Sequence, residues 1–179
     1  PVAELVTATV ATYRVPETGE MTWVTVVGSP PSIDSVLARF TKPLTDVSVS
    51  LVSRGGRRPA HAPSLPTGQI PSDYFYLSLP EVTPEDLFQA HLTFFVEKSW
   101  LEANQVHKWS IQFNRLDEEL NIWVPFPSKR IDETDERIFY TVVVPGFSVI
   151  AITGSTELPE LVVHVGALKI EPAAGVVGE

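Results

Sequence analysis

The spacing of the prolines constrains this sequence more than any other feature. The 179 residues include 16 prolines, and these fall between the apolar runs of the chain. Proline cannot donate a hydrogen bond to a sheet ladder, and it does not fit the interior of a helix. Prolines in these positions therefore indicate short strands separated by turns, and they argue against long helices.

The segments between the prolines alternate with a period of two and are rich in Val, Ile, Thr and aromatic residues, which is typical of half-buried strands. The predicted strands are residues 5–13, 21–27, 35–40, 46–52, 74–79, 91–96, 109–113, 121–124, 138–144, 147–152 and 161–170. Residues 142–144 and 149–152 are apolar on both faces, so we expect central strands there. The pattern predicts an all-β, antiparallel β-sandwich with about eleven short strands.

Helix signals are few. Thr83 precedes Pro84 and two acids, which predicts one short turn with Thr83 as its N-cap. A second short helix is predicted from Ser99, as N-cap, to Asn104, as a left-handed terminator. We expect a single sandwich domain over residues 1–170, with 171–179 as a terminal extension or linker.

Composition excludes several function classes. The formal net charge is −9, which argues against nucleic acid and anionic membranes as partners. No apolar run is long enough to cross a bilayer. The absence of cysteine excludes disulfides, thiolate metal sites and a cysteine nucleophile. The chain opens Pro-Val-Ala-Glu without an initiator Met, so we expect a fragment or a processed product.

No catalytic motif is present in the sequence. The four histidines form no H-x-x-x-H pair, and no G-x-S-x-G elbow, P-loop or dinucleotide fingerprint occurs. Ser148 follows a turn between two apolar segments, but it lacks the strand-turn-helix context of a hydrolase nucleophile. We therefore expect a protein that is not an enzyme.

One acidic cluster has the ligand chemistry of calcium. Asp132, Glu133, Asp135 and Glu136 precede a predicted strand, and Ca²⁺ takes hard oxygen ligands. The EF-hand spacing is absent, and a solvated turn explains the same residues. No other cofactor is predicted.

Two further features leave alternatives open. Residues 53–72 contain Gly55-Gly56 and four prolines without periodicity, and a loop of this length is either functional or mobile. Trp23, Trp100, Trp109 and Trp123 either fill the core or form an exposed row that stacks sugars.

The carboxyl-terminal half carries two distinctive motifs in order. The first is Val96, Lys98, Ser99, Trp100, Leu101 and Asn104, followed by Arg115 and Trp123; the second is Pro145, Gly146, Phe147, Ser148, Ala151, Ile152 and Gly154. This sequence resembles the PGF-pre-PGF domain of archaeal and bacterial cell-surface proteins over roughly residues 20–154. The strand end around Arg115 departs from the pattern, because a Tyr is expected near the Arg, and an extra Pro follows Trp123.

The resemblance implies location more than activity, and it implies no catalytic residues. Its motif residues are expected to determine the fold: Ser99 caps a helix, Trp100 and Leu101 fill the core, and Pro145-Gly146 makes a turn. We predict an extracellular or cell-surface structural or adhesive module, with self-assembly into an envelope layer or fibre through the flanking strands as a hypothesis. Its expected partners are copies of itself, other surface proteins or surface glycans. The alternative is a carbohydrate-binding module that uses exposed aromatics and the 53–72 loop.

Overall fold

The computed structural model describes residues 5–9, 21–24, 32–42, 44, 48–79 and 82–158, with the backbone alone at 5–9, 21–24 and 48–50. Over these residues the regular secondary structure is almost entirely β-strand. The strands are β1 (Leu5–Thr9), β2 (Met21–Val24), β3 (Ile33–Phe40), β4 (Ser48–Ser53), β5 (Ile70–Ser78), β6 (Leu87–Glu97), β7 (Gln112–Asp117), β8 (Ile122–Phe126), β9 (Ser128–Glu133), β10 (Arg137–Val144) and β11 (Val149–Gly154). A 3₁₀ turn (Pro84–Asp86) precedes β6, and helix α1 (Lys98–Asn104) follows it.

The strands form two antiparallel sheets. Sheet A has the order β1-β4-β5-β11-β7-β8, and sheet B has the order β2-β3-β6-β10-β9. After β6, three connections cross between the sheets: β6 to β7 through α1, β8 to β9 at Pro127, and β10 to β11 at the turn 145–148. The prediction of an all-β, sandwich-like fold is confirmed.

The main core lies between the two sheets and follows the alternation of the strands. On β5, Phe75 and Leu77 face inward, and they meet Leu92 and Phe94 of sheet B in one buried cluster. Full burial of one such side chain stabilises the fold by about 1.5–3 kcal/mol. β11 is buried at every position, as expected for a central strand, because it lies between β5 and β7.

A second, smaller core lies on the outer face of sheet A, under the loop formed by residues 54–69. Ala62 of this loop is buried with Tyr74, Leu116 and Trp123, and Leu65 packs against them. The indole Nε1 of Trp123 donates to the carbonyl of Pro63 at 3.0 Å. The long loop predicted from the sequence is therefore a cover for sheet A, held by its own apolar residues.

Hydrogen bonds of buried polar groups hold the loop 54–69 on sheet A and join the two sheets. The Thr153 hydroxyl donates to Gln69 Oε1 at 2.6 Å, and it accepts from Asn114 Nδ2 at 2.9 Å. Asp73 of β5 accepts from the hydroxyl of Ser32, which precedes β3 in the other sheet, and from that of Ser53, each at 3.0 Å. Burial raises the pKa of Asp73, and these hydrogen bonds oppose the rise.

Several strand predictions need correction. β9 was expected to be loop, but Ser128–Glu133 pairs with β10 as the edge strand of sheet B. Val143 was expected to be buried on both faces of its strand, yet it is 45% exposed. The segment predicted at 109–113 begins as loop, and β7 starts only at Gln112. The strand predicted at 161–170 lies outside the described residues.

The caps of α1 also differ from the prediction. Ser99 is not the N-cap, because the helix begins at Lys98 directly after β6, and the Lys98 amide is satisfied by the carbonyl of Glu136 at 2.8 Å. Asn104 is not the left-handed residue, since Gln105 takes that conformation with φ 56°. The Asn104 side chain donates instead to the carbonyl of Trp100.

Candidate functional site: a cleft with an unpaired arginine

A cleft of about 360 Å³ opens at one end of the sandwich. It is formed by residues 76–79 at the end of β5, residues 82–84, Leu87, Arg115 and the turn 145–147. We call it the Arg115 cleft. These segments meet here because β5 leaves sheet A, β6 enters sheet B, and β10 crosses back to β11 at the same end. Its volume is at the lower limit of the roughly 300–1,000 Å³ found for ligand pockets.

The alternation of β7 places Arg115 on the inward side of sheet A. Phe113 belongs to the core between the sheets, whereas Asn114 and Leu116 face the covering loop. Because side chains alternate along a strand, Arg115 faces the same side as Phe113. Its cross-strand partner is Ile150 of the central strand β11. The arginine therefore projects from a rigid, interior part of sheet A.

No described residue satisfies this arginine. Nε of Arg115 is buried and has no hydrogen-bond acceptor. None of the five ion pairs formed among the described residues includes Arg115. A buried donor without an acceptor costs about 1–3 kcal/mol in stability. Nε of Arg39 is likewise buried without an acceptor, so what distinguishes Arg115 is its place in the wall of the cleft.

Gly146 keeps the cleft open beside the guanidinium. A β-carbon added to this glycine would stand 3.7 Å from Nη2 of Arg115. A longer side chain would occupy space that a ligand needs to reach the arginine. The Pro145-Gly146-Phe147 motif does make the turn between β10 and β11, and in addition it forms one wall of the cleft.

The remaining walls combine polar and apolar surface in nearly equal amounts. Leu77, Leu79 and Leu87 are buried core residues, and Val82 and Phe147 pack against the same core. Apolar walls lower the local dielectric constant, and this strengthens a hydrogen bond or ion pair formed with Arg115. The arrangement suits an anionic group that is attached to an apolar one.

Ser148 lies next to this turn but serves the fold. Its side chain is buried, and its hydroxyl donates to Glu118 Oε1 at 3.1 Å. Its carbonyl accepts from the Leu77 amide at 3.2 Å. These contacts tie the β10–β11 turn to the β7–β8 hairpin and to β5.

The other motif residues lie around α1, away from the Arg115 cleft. Leu101 is buried, and Trp100 packs against the main core. Lys98 forms an ion pair with Glu133 at 2.9 Å. Gly154 is the last residue of the second motif, and packing requires a glycine there, because a β-carbon would overlap Cγ1 of Val106. Trp123 belongs to the outer core of sheet A.

The acidic residues proposed for calcium do not converge. Glu133 binds Lys98, Lys108 and Arg130, and the hydrogen bonds from Lys98 and Lys108 hold its pKa below the usual value. Asp132 accepts from the Glu133 amide at 2.8 Å. Within the part of the chain that the structure describes, no three His, Cys, Asp or Glu side chains are grouped as a metal site.

A second concave surface surrounds Trp109, which is 60% exposed. This groove has a volume of about 330 Å³ and is lined by residues 109–112 and 125–128. The guanidinium carbon of Arg130 lies 4.3 Å from the centroid of the indole. Trp109 is the exposed member of the three tryptophans whose side chains are described, so no aromatic row forms among them.

Comparison of the chain with protein-family models, curated proteins and solved structures gives no match. The resemblance to the PGF-pre-PGF domain thus stays a prediction. Over the described residues, no helix has the length and apolar character needed to span a membrane.

Sequence reasoning assigned Arg115 only a place in a motif and did not predict the cleft. One signal was available, because the alternation from Phe113 to Arg115 puts a charge on a core-facing position. The residues that join Arg115 in the cleft are 76–79, 82–84, Leu87 and 145–147, and their proximity follows from the strand order.

Proposed function

We propose that this protein is a non-enzymatic adhesive module of the cell surface, and that it binds its partner through the Arg115 cleft. The observation that supports the proposal is the guanidinium of Arg115 in the wall of an open cleft, without an ion-pair partner among the described residues. Among the described lining residues, Arg115 is the single charged side chain. The cleft thus offers one fixed cation beside mixed polar and apolar surface, a combination that suits recognition of a ligand.

The scaffold around the cleft favours binding by a preformed site. β7 is an interior strand of sheet A, and the turn 145–147 is joined to the β7–β8 hairpin through Ser148 and Glu118. A side chain held on rigid elements loses little entropy when a ligand binds. The surface location is supported by the PGF-pre-PGF resemblance and is compatible with the acidic composition.

The test is a binding isotherm on cell envelopes isolated from the producing organism. Arg115→Met removes the guanidinium and keeps an unbranched, apolar side chain in the wall. Arg57→Met is the matched control, because Arg57 lies exposed in the loop over sheet A. We expect Arg115→Met to weaken binding about ten-fold or more, the equivalent of a charged hydrogen bond, and Arg57→Met to bind like wild type. Equal binding of all three proteins would refute the proposal.

Self-assembly is a separate part of the proposal, and the outer face of sheet B supports it. Val143 is 45% exposed on this face, and the same face carries Phe95 and Phe139, whose rings form a tilted pair with centroids 5.7 Å apart. Light scattering across a concentration series tests this part. A mean mass that rises with concentration, and rises less in Val143→Thr, would support self-assembly. A monomer at every concentration would refute it.

The exposed ring of Trp109 favours carbohydrate binding as a second candidate. Arg130 covers one face of the indole, and the groove beside it is large enough for a sugar ring. Tryptophan fluorescence during titration with a polysaccharide panel tests this function. If the fluorescence change saturates, and if Trp109→Phe diminishes it while Arg115→Met leaves it intact, the binding site is the groove beside Trp109 and not the Arg115 cleft.

A further inference from the structure

We infer that the Arg115 cleft binds a carboxylate carried next to an apolar side chain of a peptide, an inference that rests on the proposed function. Three features of the cleft lead to this ligand class. These are the geometry of the arginine, the number of charges in the wall, and the apolar side chains in part of the lining.

The guanidinium selects the shape of the anion. Arginine is always charged and presents its donors in a planar fork that matches the two oxygens of a carboxylate or a phosphate. In this cleft the Nε donor is buried and has no acceptor among the described residues. An oxyanion that enters beside Gly146 meets the Nη donors of a guanidinium that forms none of the ion pairs found among the described residues.

The charge count favours a carboxylate over a phosphate. Arg115 is the one charged side chain among the described residues of the lining. A single carboxylate neutralises it, whereas a phosphate dianion leaves a net negative charge against Leu79, Leu87 and Phe147. An uncompensated charge against apolar surface is costly, so the cleft discriminates against phosphate.

The apolar part of the lining favours an apolar group beside the carboxylate. Leu79, Val82 and Phe147 contribute to the main core and also line the cleft. An aliphatic or aromatic peptide side chain buries apolar surface in the same place and gains stability from it.

The volume limits the ligand to a small part of a peptide. About 360 Å³ is small for a ligand site, so the cleft takes one carboxylate and one apolar side chain. Two peptide sources offer this pair: a C-terminal apolar residue, and an internal acid beside an apolar residue. Both present the same chemistry to Arg115.

The test follows the backbone amides around the cleft and the Nε–Hε resonance of Arg115 by NMR during titration of ¹⁵N-labelled protein. The probes are N-acetyl-leucine, its neutral isostere N-acetyl-leucinamide, the amidated dipeptide acetyl-Glu-Leu-NH₂, inorganic phosphate and glucuronate. We expect saturable shifts at the cleft with N-acetyl-leucine, and at least about ten-fold weaker binding of the leucinamide. Binding of the dipeptide at the same resonances would identify an internal acid as a second source, and its absence would assign the site to C-termini.

Two variants confirm the location of the site. Gly146→Leu fills space beside the guanidinium and should abolish the shifts while the rest of the spectrum keeps its native dispersion. Arg57→Met, with its substitution in the exposed loop, should bind N-acetyl-leucine like wild type.

Equal binding of N-acetyl-leucine and its amide, or tighter binding of phosphate or glucuronate, would overturn the inference. Loss of envelope binding in Arg115→Met together with no response to N-acetyl-leucine would leave the adhesive function standing and reject the ligand class. Envelope binding unaffected by Arg115→Met would reject the function itself.

Discussion

Gly146 lies against the guanidinium of Arg115, and a β-carbon at this glycine would stand 3.7 Å from Nη2. The contact brings the turn between β10 and β11 against an interior strand of sheet A. The glycine leaves room in front of the arginine. The arginine has no hydrogen-bond acceptor at Nε among the described residues. Substitutions at the two positions should therefore separate binding from stability.

Gly146→Leu should block the cleft without unfolding the protein. The glycine is partly exposed in a turn, and an added β-carbon would make an ordinary contact with the arginine. We expect a melting temperature within a few degrees of wild type, the change caused by up to about 1 kcal/mol, and a loss of envelope binding like that of Arg115→Met. Differential scanning calorimetry and the binding isotherm measure the two effects. Full binding by the leucine variant would show that the ligand does not enter beside Arg115.

Arg115→Met should leave the free energy of unfolding unchanged or increase it. The substitution removes a buried donor that has no acceptor and retains an apolar stem against the core, so up to about 1–3 kcal/mol is regained. Residues kept for binding at the expense of stability behave in this way. Urea unfolding of the variant and of Arg57→Met gives the comparison. A clear destabilisation specific to Arg115→Met would mean that this arginine holds the fold together.

Trp123→Phe should loosen the loop over sheet A. The change removes the donor to the Pro63 carbonyl and part of the outer core, at a cost of about 1–3 kcal/mol. We expect faster tryptic cleavage after Arg54 and Arg57, which lie exposed in this loop. Trp109→Phe is the matched control, since Trp109 is 60% exposed. Equal cleavage of the two variants would contradict the role of Trp123.

Asp73→Asn should remove one component of the pH dependence of stability. Burial raises the folded-state pKa of Asp73 above the usual 3.8, so the folded protein holds this proton more tightly than the unfolded chain does. The contribution of Asp73 is thus greatest below pH 3.8 and falls as the pH rises through the folded-state pKa.

The test for Asp73 is the free energy of unfolding of wild type minus that of Asp73→Asn, measured by urea at several pH values. This difference should decrease as the pH rises from about 3.8. The subtraction is needed because Asp86 and Glu133 have lowered pKa values and act in the opposite sense. A difference that increases with pH would contradict the assignment.

Calcium should not stabilise the protein. Glu133 is already paired with Lys98, Lys108 and Arg130, so Ca²⁺ would have to displace three cations. A ligand that binds only the folded state raises the melting temperature in proportion to the logarithm of its concentration. We expect equal melting temperatures in millimolar Ca²⁺ and in EDTA. A rise with Ca²⁺ that is abolished by Asp132→Asn would restore the calcium site.

Much of the strand content was predictable because most strands bury one face. The alternation in Phe75 and Leu77 and the apolar run of β11 mark core strands directly. The turn after Asp117 was also predictable, since its carboxylate accepts from the amides of Glu119 and Leu120, as expected of a turn residue. β9 carries no such signal, because it is a charged edge strand with little burial.

The cleft was less predictable than the strands for a physical reason. An inward Arg115 is visible in the sequence, but a core-facing charge also fits an internal ion pair. Which case applies depends on the sheet order that brings Leu79 and Phe147 to the same end of the sandwich. Similarly, the cap of α1 depends on a carbonyl from Glu136, which no local pattern around Ser99 encodes.

The most direct test of the account is a pair of measurements on a single preparation of Arg115→Met: its binding to cell envelopes and its free energy of unfolding. The account predicts that binding falls about ten-fold or more while the free energy of unfolding stays the same or rises. Retained binding, with or without a change in stability, would contradict the central claim that Arg115 is the recognition group of this module.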